Sequence, residues 1–498
     1  MAGVTVYDRH TLRSTTTDQN GYYELPVTPQ SQIVVSKLDY RDTVLQVSSQ
    51  TPRFVKLDLY PDSLPQPRPA SLRDQVNRTS YALEEFFLKT SQQLSALNVQ
   101  DSLHRRFQFS LLPNVGTNQR LSGSVTNDIS INLLAGYSRG NRVLELAGLG
   151  NLTRENMTGL QAAGVFNNLR GNAAGFQAAG VYNYVGDTLT GVQAAGVVNV
   201  AGYGHKAAFQ AAGALNLVPR GRFGIQVAGA ANLADTITAF QAAGAWNSAR
   251  VFLNGAQVAG AINHAGRADA GTQFAGLTNS VGRGVIRAQV AGLGNVADTL
   301  NGIQVAGLFN RARCLRGTQI GVINFAGVNR GTQIGLLNFS RQGGYMAVEA
   351  SVNDLLWANL AFHSGTRRLY VTLTAGVDSA AIGDRTLWAF GVGVGTRTRL
   401  AARLGLSADL VHRHLNEGGF DNAVREWEQL AVALQLRIAG GLYLSGGPTF
   451  NLLITDPDDA DSPGFRSRTV KKNVLPGDAA DGWLSGWWGW TAGVKWAF

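Results

Sequence analysis

Between residues 145 and 338 the apolar and polar positions recur with a period of about 16, in phrases such as FQAAGVYN at 176–183, VQAAGVVN at 192–199, IQVAGAAN at 225–232 and IQVAGLFN at 303–310. Gln stands at 161, 177, 193, 210, 226, 241, 257, 273, 289, 304, 319 and 333, with Glu145 in the same slot one step earlier. Asn answers in step at 151, 167, 183, 199, 216, 232, 247, 263, 279, 295, 310, 324 and 338. A repeat of this length is one coil of a β-solenoid or one strand and turn of a large antiparallel barrel. A barrel predicts a period of two repeats, because its inner turns are short and its outer loops long. The DT connectors at 187, 235 and 298 follow the second, fifth and ninth Gln and ignore parity. The pattern therefore predicts a solenoid over 107–344, in which each coil contacts only its neighbours. Gln161, Gln177, Gln193 and Gln226 are expected to stack into one amide ladder, and Asn167, Asn183, Asn199 and Asn232 into a second. Ala178, Gly180, Ala194 and Gly196 would let two sheets approach closely.

The flanks read differently. Residues 1–60 alternate in short runs (VTVY, QIVVSKLDY, TVLQV, RFVKLDLY) with Asp, Asn and Gly between them, which predicts a small β-sandwich. A Pro-rich stretch, PDSLPQPRPA, opens a linker over 61–106, and apolar positions from Leu72 to Leu97 at helical spacing predict one helix with Ser71 as its N-cap. Beyond 345 the repeat stops, and eight of the nine Trp lie there. WTAGVKWAF sets Trp490, Ala492, Val494, Trp496 and Phe498 on one face and Thr491, Gly493, Lys495 and Ala497 on the other, the alternation of a membrane β-strand. Eight such strands are predicted, near 346–354, 357–363, 369–377, 387–396, 400–413, 428–438, 441–454 and 487–498, an even number that suits a closed barrel. An extra strand from RRFQFSLLP or DISINLLAGYS would change that count. Long connections after strands five and seven put the C-terminus, and by parity the start of strand one, on the periplasmic side. The fold class is thus all-β: sandwich, linker helix, solenoid, barrel. The alternative is that repeats and C-terminus close into one large barrel.

Sixty Gly and only 15% charged residues, with 13 Pro and no three-residue Gly period, exclude collagen and ordinary disorder. Cys314 has no disulfide partner and reads as an apolar filler. No run of 18 apolar residues is present, which leaves transmembrane β-strands open. The N-terminus carries no signal-peptide pattern, so an exported protein would have an incomplete start. The net charge is +10, and connectors carry Arg220, Arg222, Arg267, Arg283, Arg287, Arg311, Arg313 and Arg316. On one edge they would form a stripe able to contact lipopolysaccharide or another envelope polyanion. The aromatic interleaving of single-strand binders is missing, which argues against nucleic acid. HLNE at 414–417 matches a zinc-peptidase HxxE without a partner histidine, the acidic loop around Asp456, Asp458, Asp459 and Asp461 lacks calcium-loop spacing, and His412 and His414 share one strand face at the expected membrane rim. No catalytic residue, metal or cofactor is expected.

GVTVY followed by TTTDQNGYYEL resembles the carboxypeptidase regulatory-like domain, a non-catalytic sandwich often found at the N-termini of outer-membrane proteins; the strand that normally precedes GVTVY is missing. GxQxAGxxN, shortening to GTQIGVINF, resembles the surface-repeat family of bacterial outer-membrane proteins, and the terminal strand ending in Phe498 resembles the signal read by the barrel assembly machinery. These resemblances imply a non-enzymatic outer-membrane protein, embedded in outer-membrane lipid, whose rod binds or spaces at the envelope. The competing expectation is a channel or transporter for anionic solutes.

Overall fold

The computed structural model describes residues 1–61, 85–99, 103–378, 386–418, 425–455 and 484–498. It is all-β: a small N-terminal sheet, a β-solenoid of about 14 turns and a closed eight-stranded antiparallel barrel. Two compact units divide the chain, Met1–Gly266 and Arg267–Phe498.

In the first unit, Thr5–Asp8, Ser14–Thr16, Gln32–Ser36 and Thr43–Gln46 form one antiparallel sheet. The run RFVKLDLY, expected as a further strand, is irregular, yet Leu57 and Leu59 pack on one face of the sheet against Val6, Ile33 and Val35. The other face, with Tyr7 and Val34, packs on Val99, Leu103, Leu121 and Val125 at the start of the solenoid. Asn98 ties the two together: its Nδ2 donates to Gly3 O at 2.9 Å and to Thr5 Oγ1 at 3.0 Å. Of the expected helix, the described part is a turn at 85–87 and Thr90–Asn98; Ser71 lies outside the described residues. Lys89 N–H donates to Gln92 Oε1 at 3.2 Å at its start, and Phe87 and Leu88 cover Tyr137, Leu152 and Phe166 of the first coils.

Within each unit successive coils pair in parallel and in register: Gln161 with Gln177, Asn167 with Asn183 and Gln193 with Gln210 in the first, Gln289 with Gln304 in the second. Parallel coils exclude the single large antiparallel barrel. RRFQFSLLP and DISINLLAGYS, considered as extra barrel strands, belong to the first two coils, with Phe107 paired to Ile129 in parallel. The glycine after each QAA is dictated by backbone proximity: a Cβ on Gly180 would stand 2.1 Å from Gly164 O. At Gly159 the φ of +79° adds a second reason, since L side chains rarely adopt it.

In the second unit, coils continue to Leu337–Gln342, and the barrel follows as Tyr345–Asn353, Ala358–Gly365, Tyr370–Asp378, Leu387–Arg399, Leu404–Glu417, Arg425–Ala439, Leu442–Thr455 and Leu484–Ala497. The first and last strands close it, with Val348 opposite Trp496. The eight predicted strands match these one for one. The fifth starts later than expected because Leu400–Leu404 form a hydrogen-bonded turn.

Candidate functional site

The ladders form as expected and run with opposite polarity. Each Gln Nε2 donates backward, Gln177 to Gln161 Oε1 at 2.7 Å and Gln193 to Gln177 at 2.8 Å, and Gln226 donates to Gln210 at 2.9 Å. Each Asn Nδ2 donates forward, Asn167 to Asn183 Oδ1 at 2.9 Å and Asn183 to Asn199 at 3.0 Å. The second Asn proton reaches a backbone carbonyl of the next coil, as from Asn232 to Ala242 O at 2.6 Å. All these side chains are fully buried, and their amides are satisfied by the stack itself, which is what makes a polar core tolerable. Glu145 terminates the Gln ladder: it accepts from Gln161 Nε2 at 2.8 Å and Thr153 Oγ1 at 3.1 Å, and burial pushes its carboxyl up from the ordinary range.

Each coil is two-sided. The corner after QAAG carries only apolar side chains and no charge: in the first unit Val165, Val181 and Val197 are exposed there. Beside them Ala162, Ala163 and Gly164 and their counterparts as far as Gly229 line an open furrow of about 1080 Å³. The opposite corner carries charge, but the arginines do not form one free stripe. In the first unit Asp235 accepts from Gly221 N at 3.1 Å and from Arg250, one coil on. In the second unit Asp298 repeats this, accepting from Gly284 N at 2.8 Å and from Arg313; the Arg313 guanidinium holds its carboxyl below the usual range. Arg267 pairs with Asp269 at 3.0 Å, and Arg283 lies within the field of Asp298. Arg311 stands on the Asn strand between Val296 and Phe325. Arg220 sits at the charged turn, while Arg222, Arg287 and Arg316 lie on the approach to the next Gln. Among the described residues Arg220, Arg222, Arg287, Arg311 and Arg316 are exposed and form no ion pair.

The barrel interior is filled. Glu349 accepts from Lys495 Nζ at 2.8 Å and Ser445 Oγ at 2.6 Å, and bonds His363 Nε2 at 3.0 Å. Arg413 lies over the Trp427 ring and donates to Gln429 Oε1 at 2.8 Å, while Trp427 and Gln429 both donate to Asn451 Oδ1. Leu355, Leu356, Leu415, Trp427, Leu453 and Trp487 pack beneath the long-loop end. Side chains from both ends meet in this way in a barrel of eight strands.

Outside, Leu430, Val432, Leu434, Leu436 and Ile438 are exposed in succession on the sixth strand. At the usual strand rise and barrel tilt these span about 20–25 Å. Polar pairs bound the band on the long-loop side: His412 with Glu428 at 2.5 Å and with Glu426 at 3.2 Å, and His414 with Glu426 at 3.0 Å. Among the described residues no group of three or more His, Cys, Asp or Glu is arranged to hold a metal ion. The acidic loop with Asp456, Asp458, Asp459 and Asp461 lies outside the described residues. Trp490, Trp496 and Phe498 all face outward, Trp496 and Phe498 with ring centroids 5.4 Å apart, and Lys495 faces inward as the alternation predicts.

Sequence reasoning missed the junction between solenoid and barrel. Barrel residues alternate strictly: His363 and Thr372 point inward and bond each other at 2.8 Å, so Ser364 and Val371 point outward. Both are nevertheless buried, because the last coil lies against them: Asn338 N donates to Ser364 Oγ at 3.1 Å and Asn338 Nδ2 to Ser364 O at 3.4 Å. The final rung of the Asn ladder is therefore bonded to the outer wall of the barrel at its short-turn end. A serine at an outward, otherwise apolar position was the one available signal.

Comparison of the chain with protein-family models, with curated proteins and with solved structures gives no match.

Proposed function

We propose that the chain is a non-enzymatic protein of the bacterial outer membrane, in which the barrel is the anchor and the solenoid a rigid rod that binds or spaces within the envelope. One observation carries this reading: an apolar outer band of membrane height, bounded by His–Glu pairs, surrounds an interior closed by its own hydrogen-bonded side chains. Such a barrel satisfies its backbone in lipid and has no edge to expose. The resemblance of the repeats and of the N-terminal residues to outer-membrane proteins supports the same compartment. The rod joins the barrel at the short-turn end, the periplasmic end in barrels of this kind. We therefore assign the rod to the periplasmic side.

A filled barrel of this size conducts nothing, so the channel reading for anionic solutes is not adopted. The experiment is reconstitution of the full chain in a planar bilayer and in vesicles. The reading predicts co-flotation with the vesicles, a mobility on gels that shifts on heating, and no conductance. Steady anion-selective conductance would favour the channel. Polyanion binding rests on the five unpaired arginines: changing Arg220, Arg222, Arg287, Arg311 and Arg316 to Gln should weaken binding to lipopolysaccharide, and unchanged binding removes that part.

A further inference from the structure

We propose that the apolar corner of the barrel-proximal coils is seated in lipid. Leu277, Leu293, Leu308, Val322 and Leu336 would lie among the acyl chains of the leaflet at the short-turn end, and these coils would run along the membrane instead of standing away from it. The proposal rests on the reading of the barrel as a membrane anchor.

Three observations lead to it. The first is composition. From each Gln to its Asn the second-unit coils read QFAGLTN, QVAGLGN, QVAGLFN, QIGVIN and QIGLLN, without a charge in any of the five. The five ridge residues are 51, 43, 44, 40 and 46% exposed, and Phe274, Val290, Ile320 and Ile334 beside them are exposed as well. A contiguous apolar row of this kind marks an interaction surface, and solenoid surfaces in water interrupt such rows with charge.

The second is continuity. Ser364 and Val371 face outward on the barrel wall, and the last coil covers both. Asn338 holds it there, and Ser364 Oγ also donates to Leu336 O at 3.5 Å. Leu336, the end of the ridge, thus stands at the outer surface of the barrel against its second strand, whose outward positions continue with Phe362 and the exposed Leu360. The ridge prolongs a surface already made for acyl chains.

The third is length and polarity. Four coil steps at about 4.8 Å carry the ridge about 19 Å from Leu336, at the short-turn edge of the barrel, to Leu277. A ridge directed along the membrane normal would therefore emerge into water, yet Leu277 is as apolar and as exposed as Leu336. The opposite corner of the same coils carries Arg283, Asp298, Arg313 and Arg330, which would remain hydrated. The coil section is amphipathic across its width, as an element lying at an interface must be.

The test uses the full chain carrying Cys314→Ser, folded into phosphatidylcholine vesicles with brominated acyl chains. Single cysteines replace Leu277, Leu308 or Leu336, with Leu434→Cys on the barrel band and Arg316→Cys on the opposite corner as references, each labelled with an environment-sensitive fluorophore. Only variants retaining the heat-dependent gel shift are compared. The expected result is quenching at all three ridge positions comparable to Leu434→Cys and roughly fivefold above Arg316→Cys, the contrast between acyl chains and water. Quenching at Leu434→Cys with none at the ridge overturns the inference and leaves the anchor reading intact. Absence of quenching at Leu434→Cys defeats the anchor reading and the inference with it. Quenching confined to Leu336→Cys shows the ridge leaving the membrane and overturns the inference. Energy transfer between labelled chains without lipid quenching assigns the ridge to a second copy and overturns it as well.

Discussion

Asn338 donates both its backbone N–H and its side-chain amide to Ser364, so the last rung of a buried ladder is also the first contact with the barrel wall. The last coil is thereby continuous with the barrel through hydrogen bonds as well as through the chain. Ser364→Ala removes the hydroxyl that accepts from Asn338 N with little change in volume. It should lower protection from hydrogen exchange over 332–342 by about 1–2 kcal/mol, the cost of one buried unsatisfied donor. The heat-dependent gel shift of the barrel should be unchanged. Equal exchange in the two proteins would show that the contact contributes nothing.

Within the solenoid, Asn199 accepts from Asn183 and donates to Asn216 Oδ1 at 3.0 Å and to Ala211 O at 2.6 Å. Asn199→Ala leaves a donor and two acceptors buried without partners. Denaturation should show a loss of about 2–4 kcal/mol. Hydrogen exchange should place the opening in the coils on either side of Asn199, because coils are stabilised by their neighbours. A loss under about 0.5 kcal/mol would mean that the ladder is decoration.

Glu145 supplies a pH dependence. Its folded-state pKa is raised by burial, so the folded protein holds the proton more tightly than the unfolded chain. Stability from this group is complete below the unfolded carboxyl range and is lost as pH rises through the folded value. Glu145→Gln restores the residue found in the other coils and has no carboxyl to titrate. It should raise the melting temperature at about pH 8 and leave it nearly unchanged at about pH 4. A parallel pH profile for the two proteins would contradict the assignment.

Inside the barrel, Glu349 and Lys495 form a buried pair at 2.8 Å. Removing one charge leaves the other stranded, so Lys495→Met should cost about 3–5 kcal/mol and cut the yield of heat-shifted barrel. Lys495→Met combined with Glu349→Gln should recover much of it. No recovery in the double variant would show that the charges act separately.

The repeat made the solenoid legible: a side chain returning every 16 residues at one position of a coil has no place to stack except on its own copies. Alternation in WTAGVKWAF set the inward Lys495 and the outward Trp490, Trp496 and Phe498 correctly, because one face of a barrel strand meets a single environment. The arginines were less legible. Their offsets from the preceding Asn differ by several residues, so Arg311 falls beside the ladder Asn and Arg313 further along the same strand against Asp298, and Asp235 and Asp298 intervene where sequence spacing shows only a sparse acid count. The junction left almost no signal, since packing of Asn338 on Ser364 joins residues 26 apart whose local patterns are those of any ladder Asn and any strand Ser. Irregular packing of Leu57 and Leu59 replaced an expected strand for a similar reason: alternation marks which side chains face a core, not whether the backbone finds a partner strand.

An epitope tag inserted in the connector at Arg267 of the full chain, probed on intact cells, reads out whether the barrel sits in the outer membrane with the solenoid on the periplasmic side. The expected result is membrane-bound protein whose tag resists antibody and protease until the outer membrane is breached, and is then labelled. Labelling of intact cells would place the rod on the other side and contradict it.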